Sequence, residues 1–131
     1  MKFMGTLVAA ASLSLVAAAP APAGAGEWDY KGSSGFYEVN GTFYSNNVSS
    51  GGGNFKACIS TTFSGEALYG LFEYDPDGTT INDDELIGRR VQTAGGCETW
   101  DVSSYVDGSN NEAEPYIATT DGKAYKVEYW D

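Results

Sequence analysis

The chain contains no histidine, only two cysteines, and seven basic residues against eighteen acids. Each shortage excludes something. Without imidazole, Ser-His-Asp and Cys-His nucleophile systems cannot be assembled, and zinc sites built on histidine are ruled out. Imidazole is also the group most enzymes use for acid–base work at neutral pH. A net charge of −11 argues against nucleic acid, whose phosphates need basic partners, and against anionic lipid. No segment carries apolar side chains at helical spacing beyond a few residues. After residue 25 no apolar run reaches the ~20 residues that a bilayer-spanning helix needs.

What is present begins with a leader. Lys2 supplies a minimal positive region, and Phe3 to Ala19 is an uncharged, alanine-rich run. Ala19-Pro20-Ala21, Ala21-Pro22-Ala23 and Ala23-Gly24-Ala25 each fit the small-x-small cleavage pattern. Residues 1–25 therefore read as a secretory signal peptide, and residues 26–131 as a single secreted, extracellular domain. A retained membrane anchor is disfavoured because the apolar run is short. The leader suits an actinobacterial exporter, although a fungal signal has a similar layout.

Short runs rich in Val, Ile, Thr, Tyr, Phe and Trp are separated by Gly, Asn, Asp and Ser clusters. That punctuation is an all-β pattern. The runs are Gly35–Tyr44, Asn54–Thr62, Ala67–Tyr74, Leu86–Thr93, Cys97–Val102 and Pro115–Trp130, the last holding two strands. The expected fold is a small antiparallel β-sandwich or flattened barrel of about seven strands. In Ala67–Tyr74, Leu68, Gly70, Phe72 and Tyr74 share one face, and Ala67, Tyr69, Leu71 and Glu73 the other. Both faces are partly apolar, which predicts a central strand.

Asp121-Gly122 is a two-residue turn signal between Tyr116–Thr120 and Lys123–Tyr129. A hairpin there would pair Ala118 with Tyr125 and Tyr116 with Val127. It would put Tyr116, Ala118, Tyr125, Val127 and Tyr129 in the core and Ile117 in solvent. Asn46–Asn54, containing Gly51-Gly52-Gly53, reads as a flexible loop, and Ser103–Glu114 as another, too polar to belong to the core.

Two cysteines in an exported chain allow one intramolecular pairing, Cys58 with Cys97. The bond closes a loop of roughly 40 residues, worth about 4 kcal/mol on the chain-entropy account. It is placed to hold two sheets together. No Cys-x-x-Cys spacing favours a redox role. With both thiols paired, no thiolate metal ligand remains, and neither a cofactor nor a catalytic residue is expected.

Acids cluster at Glu73-Tyr74-Asp75-Pro76-Asp77-Gly78 and Asn82-Asp83-Asp84-Glu85. Glu73, Asp75, Asp77, Gly78 and Asp84 fall at the first, third, fifth, sixth and twelfth places of a calcium loop. The first and last residue types are wrong for that motif, and a solvated acidic loop is the favoured reading. Most aromatics alternate within strands as core residues do. Trp28, Tyr30 and Trp130 near the ends, and Tyr105 in a loop, do not, and they are the candidate ligand-binding residues.

Gly41-Thr42-Phe43-Tyr44, Phe55–Ile59 and Gly96-Cys97-Glu98-Thr99-Trp100 together resemble small secreted proteins of Streptomyces and relatives, of the spore-associated protein A type. That resemblance, over about residues 41–100, implies a single-disulfide β-sandwich without an established catalytic activity. It carries over no functional residues.

These readings converge on a secreted binding module that is not an enzyme. Its expected partner is another secreted protein, captured by strand addition at an open sheet edge. An adaptor in an extracellular assembly, such as an antibacterial toxin particle, fits this description. The alternatives are a carbohydrate-binding domain, an inhibitor of a secreted enzyme, and a calcium-dependent β module.

Overall fold

The structure, a computed structural model, describes residues 27–75, 84–108 and 110–131. The expected leader over residues 1–25 and most of the 73–84 acidic segment lie outside the described residues. The described chain forms nine strands: β1 (Tyr30–Ser34), β2 (Phe36–Val39), β3 (Thr42–Ser45), β4 (Asn54–Thr61), β5 (Glu66–Glu73), β6 (Glu85–Thr93), β7 (Gly96–Asp101), β8 (Pro115–Thr119) and β9 (Ala124–Trp130). They build a four-stranded sheet, β1-β9-β4-β7, and a five-stranded sheet, β2-β3-β8-β5-β6. Every ladder is antiparallel. The fold is an all-β sandwich.

The strands exceed seven because the run from Gly35 to Tyr44 is itself a hairpin, with β1 ahead of it. Its turn is Asn40-Gly41, with φ of 52° and 86°. A two-residue I′ turn needs positive φ at both places, which asparagine tolerates and glycine adopts freely. Val39 therefore faces Thr42 and Tyr37 faces Tyr44.

Alternation along β4 sends Phe55, Ala57 and Ile59 inward. They meet Trp100, Val127 and Tyr129 of their own sheet, and Tyr69, Leu71 and Ile117 of the other. Each large apolar side chain so buried stabilises the fold by roughly 1.5–3 kcal/mol relative to exposure. β6 and β7 are the sheet edges on one side, and Arg90 bridges them. Its guanidinium lies 5.2 Å over the Trp100 ring, and its Nε is 3.5 Å from Glu98. On the other side the chain passes from β1 to β2 through Gly35 alone.

The hairpin expected at Asp121-Gly122 is not there. β8 lies between β3 and β5 in one sheet, and β9 lies between β1 and β4 in the other. Ala118 pairs with Tyr44 and Gly70, while Val127 pairs with Ile59 and Ser34. The cause is the Asp121 carboxylate. It accepts hydrogen bonds from Thr61 Oγ1 (2.7 Å) on β4 and Tyr69 Oη (2.6 Å) on β5, and so anchors a crossing between sheets. Ile117, expected in solvent, is wholly buried, and Tyr125, expected in the core, is exposed.

Cys58 and Cys97 are joined, but within one sheet. They face each other across β4 and β7, with Cα atoms 3.9 Å apart. Inward Ala57 and Ile59 oblige Cys58 to point out. The loop read as flexible and the loop read as too polar for the core are in fact pinned to each other and to the core. Ser50 and Ala113 exchange backbone hydrogen bonds at 2.8 Å, and both are completely buried.

Candidate functional site

The register of the five-stranded sheet places Tyr37, Tyr44, Ala118, Gly70 and Arg89 in one row across its outer face. A neighbouring row holds Tyr116, Phe72 and Leu86. Val39, and the opposed pair Leu68 and Val91, extend the same face. The rings form a chain: Tyr37 to Tyr44 at 5.9 Å, Tyr44 to Tyr116 at 6.3 Å, and Tyr116 stacked on Phe72 at 5.8 Å. Tyr116 is buried beneath its neighbours. The periphery is open: Tyr37 is 53 % and Val91 60 % exposed, and Val39, Leu68 and Leu86 are also exposed. Single exposed apolar residues need no explanation, but a contiguous group on one face does.

Gly70 shapes this surface. A Cβ there would lie 2.8 Å from the Phe72 ring. Its absence leaves a depression of about 170 Å³ bordered by Thr42, Leu68, Phe72, Arg89 and Ala118. A larger hollow of about 510 Å³, lined by Phe63, Glu66, Asp121 and Lys123, shares Leu68 and Thr120 with the first. The two adjoin at those residues. Tyr116 Oη donates to Asp84 Oδ2 at 2.7 Å, and Asp84 Oδ1 accepts from the Asp75 N–H at 3.0 Å. Burial and then this carboxylate push the Tyr116 phenol far above its ordinary range, so it stays protonated.

Three of the four aromatics singled out by sequence come together on the other sheet. Tyr30 meets Trp130 edge-on at 5.4 Å, and Lys56 Nζ lies 4.7 Å from the Trp28 ring and 4.8 Å from Trp130. The protein's own ammonium contacts both indoles, which satisfies the group internally. Tyr105 is elsewhere, in a short 3₁₀ turn (Ser103–Tyr105), packed against the core edge.

Sequence reasoning missed Tyr37, Val39, Leu68, Leu86 and Val91. The signal lay in β5, which is apolar on both faces. In a two-layer sandwich only one face of each sheet meets the core, so the second apolar face is directed outward.

Carboxylates gather at the far end of β5. Oxygens of Glu73, Asp107 and Glu114 lie within 4.8 Å of one another. Burial, followed by the charges of Asp107, Glu114 and Glu85, pushes Glu73 up to about 8. Among the described residues no helix is long and apolar enough to cross a membrane.

Comparison with known proteins places the chain. Residues 30–129 match the YndA coiled coil domain family. The chain belongs to that family. It is 35 % identical over 106 residues to the uncharacterized protein YndA of Bacillus subtilis (strain 168), covering 80 % of this chain and 74 % of that one. The family's label does not describe this architecture, since no α-helix occurs among the described residues.

Proposed function

We propose that the protein is a secreted, non-catalytic module that docks another extracellular protein on the outer face of its five-stranded sheet. One observation carries the reading: Tyr37, Val39, Leu68, Leu86 and Val91 are all exposed, and all share that face. A protein partner fits better than a sugar. Carbohydrate sites stack rings on aromatic side chains and surround them with polar groups, whereas this periphery is largely aliphatic, and the Tyr116 hydroxyl is committed to Asp84. The partner's chemistry is an apolar patch with a basic rim, complementary to a chain of net charge −11. The leader and the disulfide support export. An adaptor in an extracellular assembly remains the fitting role, but with a sheet face as its contact in place of a sheet edge.

The test uses the mature protein as bait in culture supernatant, alongside Val91→Lys, Leu68→Glu and, on the opposite sheet, Tyr30→Ser. A co-purifying basic protein retained by Tyr30→Ser and lost with both face variants supports the reading. Retention by the face variants overturns it. So does self-association in ultracentrifugation that the same variants abolish, which would assign the face to a second copy.

A further inference from the structure

We propose that Glu73, Asp107 and Glu114 form a binding site for a calcium ion, at the end of the sandwich where β5, β8 and the 102–114 loop meet. The donors come from three separate backbone positions. Glu73 ends β5 and points inward, Glu114 directly precedes β8, and Asp107 stands on the loop. Oxygens from all three converge within 4.8 Å.

The second observation is independent of that clustering. Glu73 is 1 % and Glu114 7 % exposed. Glu73 Oε2 and Glu114 Oε1 are buried with no hydrogen-bond partner. Buried carboxylate oxygens are normally paired with a donor or a cation. Neither ion pair found among the described residues involves these acids; those pairs are Arg90–Glu98 and Lys126–Glu128. Two unpaired, desolvated oxygens beside a third carboxylate make an oxygen-only donor set, which suits a hard divalent cation.

The surroundings hold the donors in place. Tyr74 N–H donates to the Glu114 carbonyl at 2.9 Å, and Glu73 pairs with Pro115 in the β5–β8 ladder. Asn110 Nδ2 donates to Glu114 Oε2 at 2.6 Å, which leaves Oε1 for a ligand. Asp107 and Glu112 exchange backbone bonds around a tight turn in which Gly108 and Asn111 take positive φ. Asp107 is exposed, so an ion can enter from solvent and complete its coordination with water. Calcium accepts six to eight oxygens in irregular arrangements, whereas magnesium demands a near-octahedral set and keeps its waters. Carboxylates from two strand ends and a loop fit the former. Of the acidic segment read from sequence, Glu73 alone is among these three donors.

The experiment is calorimetric titration of the chelator-treated, disulfide-intact protein with Ca²⁺ and with Mg²⁺, paired with thermal melts. The expected result is one Ca²⁺ site with Kd of roughly 10⁻⁴–10⁻³ M, as in extracellular modules, and weaker Mg²⁺ binding. The melting temperature should rise by several degrees in Ca²⁺. Asp107→Asn, at an exposed position that leaves the core intact, should weaken binding tenfold or more, and Glu73→Gln should abolish it. Glu73→Gln keeps the side-chain volume and replaces a buried carboxyl with a neutral amide, so it is expected to melt no lower than the wild type in chelator, and lost binding will not reflect lost folding. Absence of Ca²⁺ heat and of any melting shift overturns the proposal. Binding that persists in both variants but disappears in Asp77→Asn/Asp83→Asn also overturns it, by moving the site to the acidic loop.

Discussion

The Tyr69 hydroxyl donates to Asp121 Oδ2 at 2.6 Å, with both residues almost fully buried. Thr61 adds a second bond to the same oxygen, and Lys123 N–H donates to Oδ1 at 2.9 Å. One carboxylate thus ties β5 of one sheet to β4 of the other at the point where the chain crosses between them. Hydrogen bonds to a charged group are each worth about 1.5–3 kcal/mol. Tyr69→Phe should therefore cost about 2 kcal/mol in urea unfolding, and Asp121→Ala more, because it leaves a buried phenol unpaired. A loss under about 0.5 kcal/mol for Asp121→Ala would show that the tether contributes little.

The same carboxylate should shape the acid limb of stability. Burial works to raise the Asp121 carboxyl, but hydrogen bonds from Tyr69, Thr61 and the N–H groups of Lys123 and Ala124 outweigh it and hold it below the usual range. An acid that releases its proton more readily when folded favours folding above its unfolded pKa of about 3.9. That contribution disappears as pH falls through the lower, folded value. The stability gap between wild type and Asp121→Asn should be full at neutral pH and should shrink below about pH 4. A gap independent of pH would contradict the assignment.

Ser45 occupies a comparable position on the inner face. Its Oγ lies 2.6 Å from Tyr129 Oη and accepts the Ile117 N–H at 3.0 Å, all within the core. The hydroxyl serves Ile117 just where β3 ends. Ser45→Ala leaves two buried polar groups without this partner, at about 1–3 kcal/mol each. Denaturant unfolding should show a loss well above that of Ser33→Ala, an exposed serine on β1.

Gly70→Ala separates surface shape from stability. Its new methyl would press on the partly exposed Phe72 ring and fill the smaller depression. Because the ring borders solvent and can move aside, the expected stability cost is about 1 kcal/mol, at the low end for an added methyl. Partner capture should fall much further than this. Unchanged capture would remove the smaller depression from the docking surface.

Much of the fold was legible in the residues. The cysteine pairing follows from there being two, and the assignment of side chains to the two faces of β5 follows from strict alternation. The pairing of β8 and β9 was not. Asp121-Gly122 carries the local chemistry of a tight turn, yet Gly122 does not take positive φ. Asp121 instead meets donors on Thr61 and Tyr69, distant in sequence, and long-range partners leave no local signal. Asn40-Gly41 carried the same dipeptide logic and does form the turn. The exposed face was hidden for another reason: a strand apolar on both sides reads alike whether its second face is covered or bare. Trp28, Tyr30, Trp130 and Tyr105 were singled out as aromatics outside the strand alternation, but not that Lys56 sits against both Trp28 and Trp130.

Removal of the disulfide should leave the architecture in place. Cys58 and Cys97 contribute no side chain to the core cluster, so Cys58→Ser/Cys97→Ser opens no cavity. With the cysteines separated by 39 positions in sequence, the chain-entropy account puts the loss at about 4 kcal/mol, and strain or residual structure can lower it. Guanidinium unfolding should show a lower midpoint with an unchanged far-ultraviolet spectrum. A molten spectrum would mean that the bond does more than restrain the unfolded chain.

The placement of that bond has a further consequence. A one-residue slip of β7 along β4 would turn Trp100 outward and is forbidden by the burial pattern. A two-residue slip is different: it keeps every inward side chain inward and merely exchanges one set of neighbours for another. Hydrophobicity discriminates weakly against such a shifted alignment. A covalent link between directly opposed residues forbids it outright, so the bridge selects one of several alignments that the core alone would tolerate.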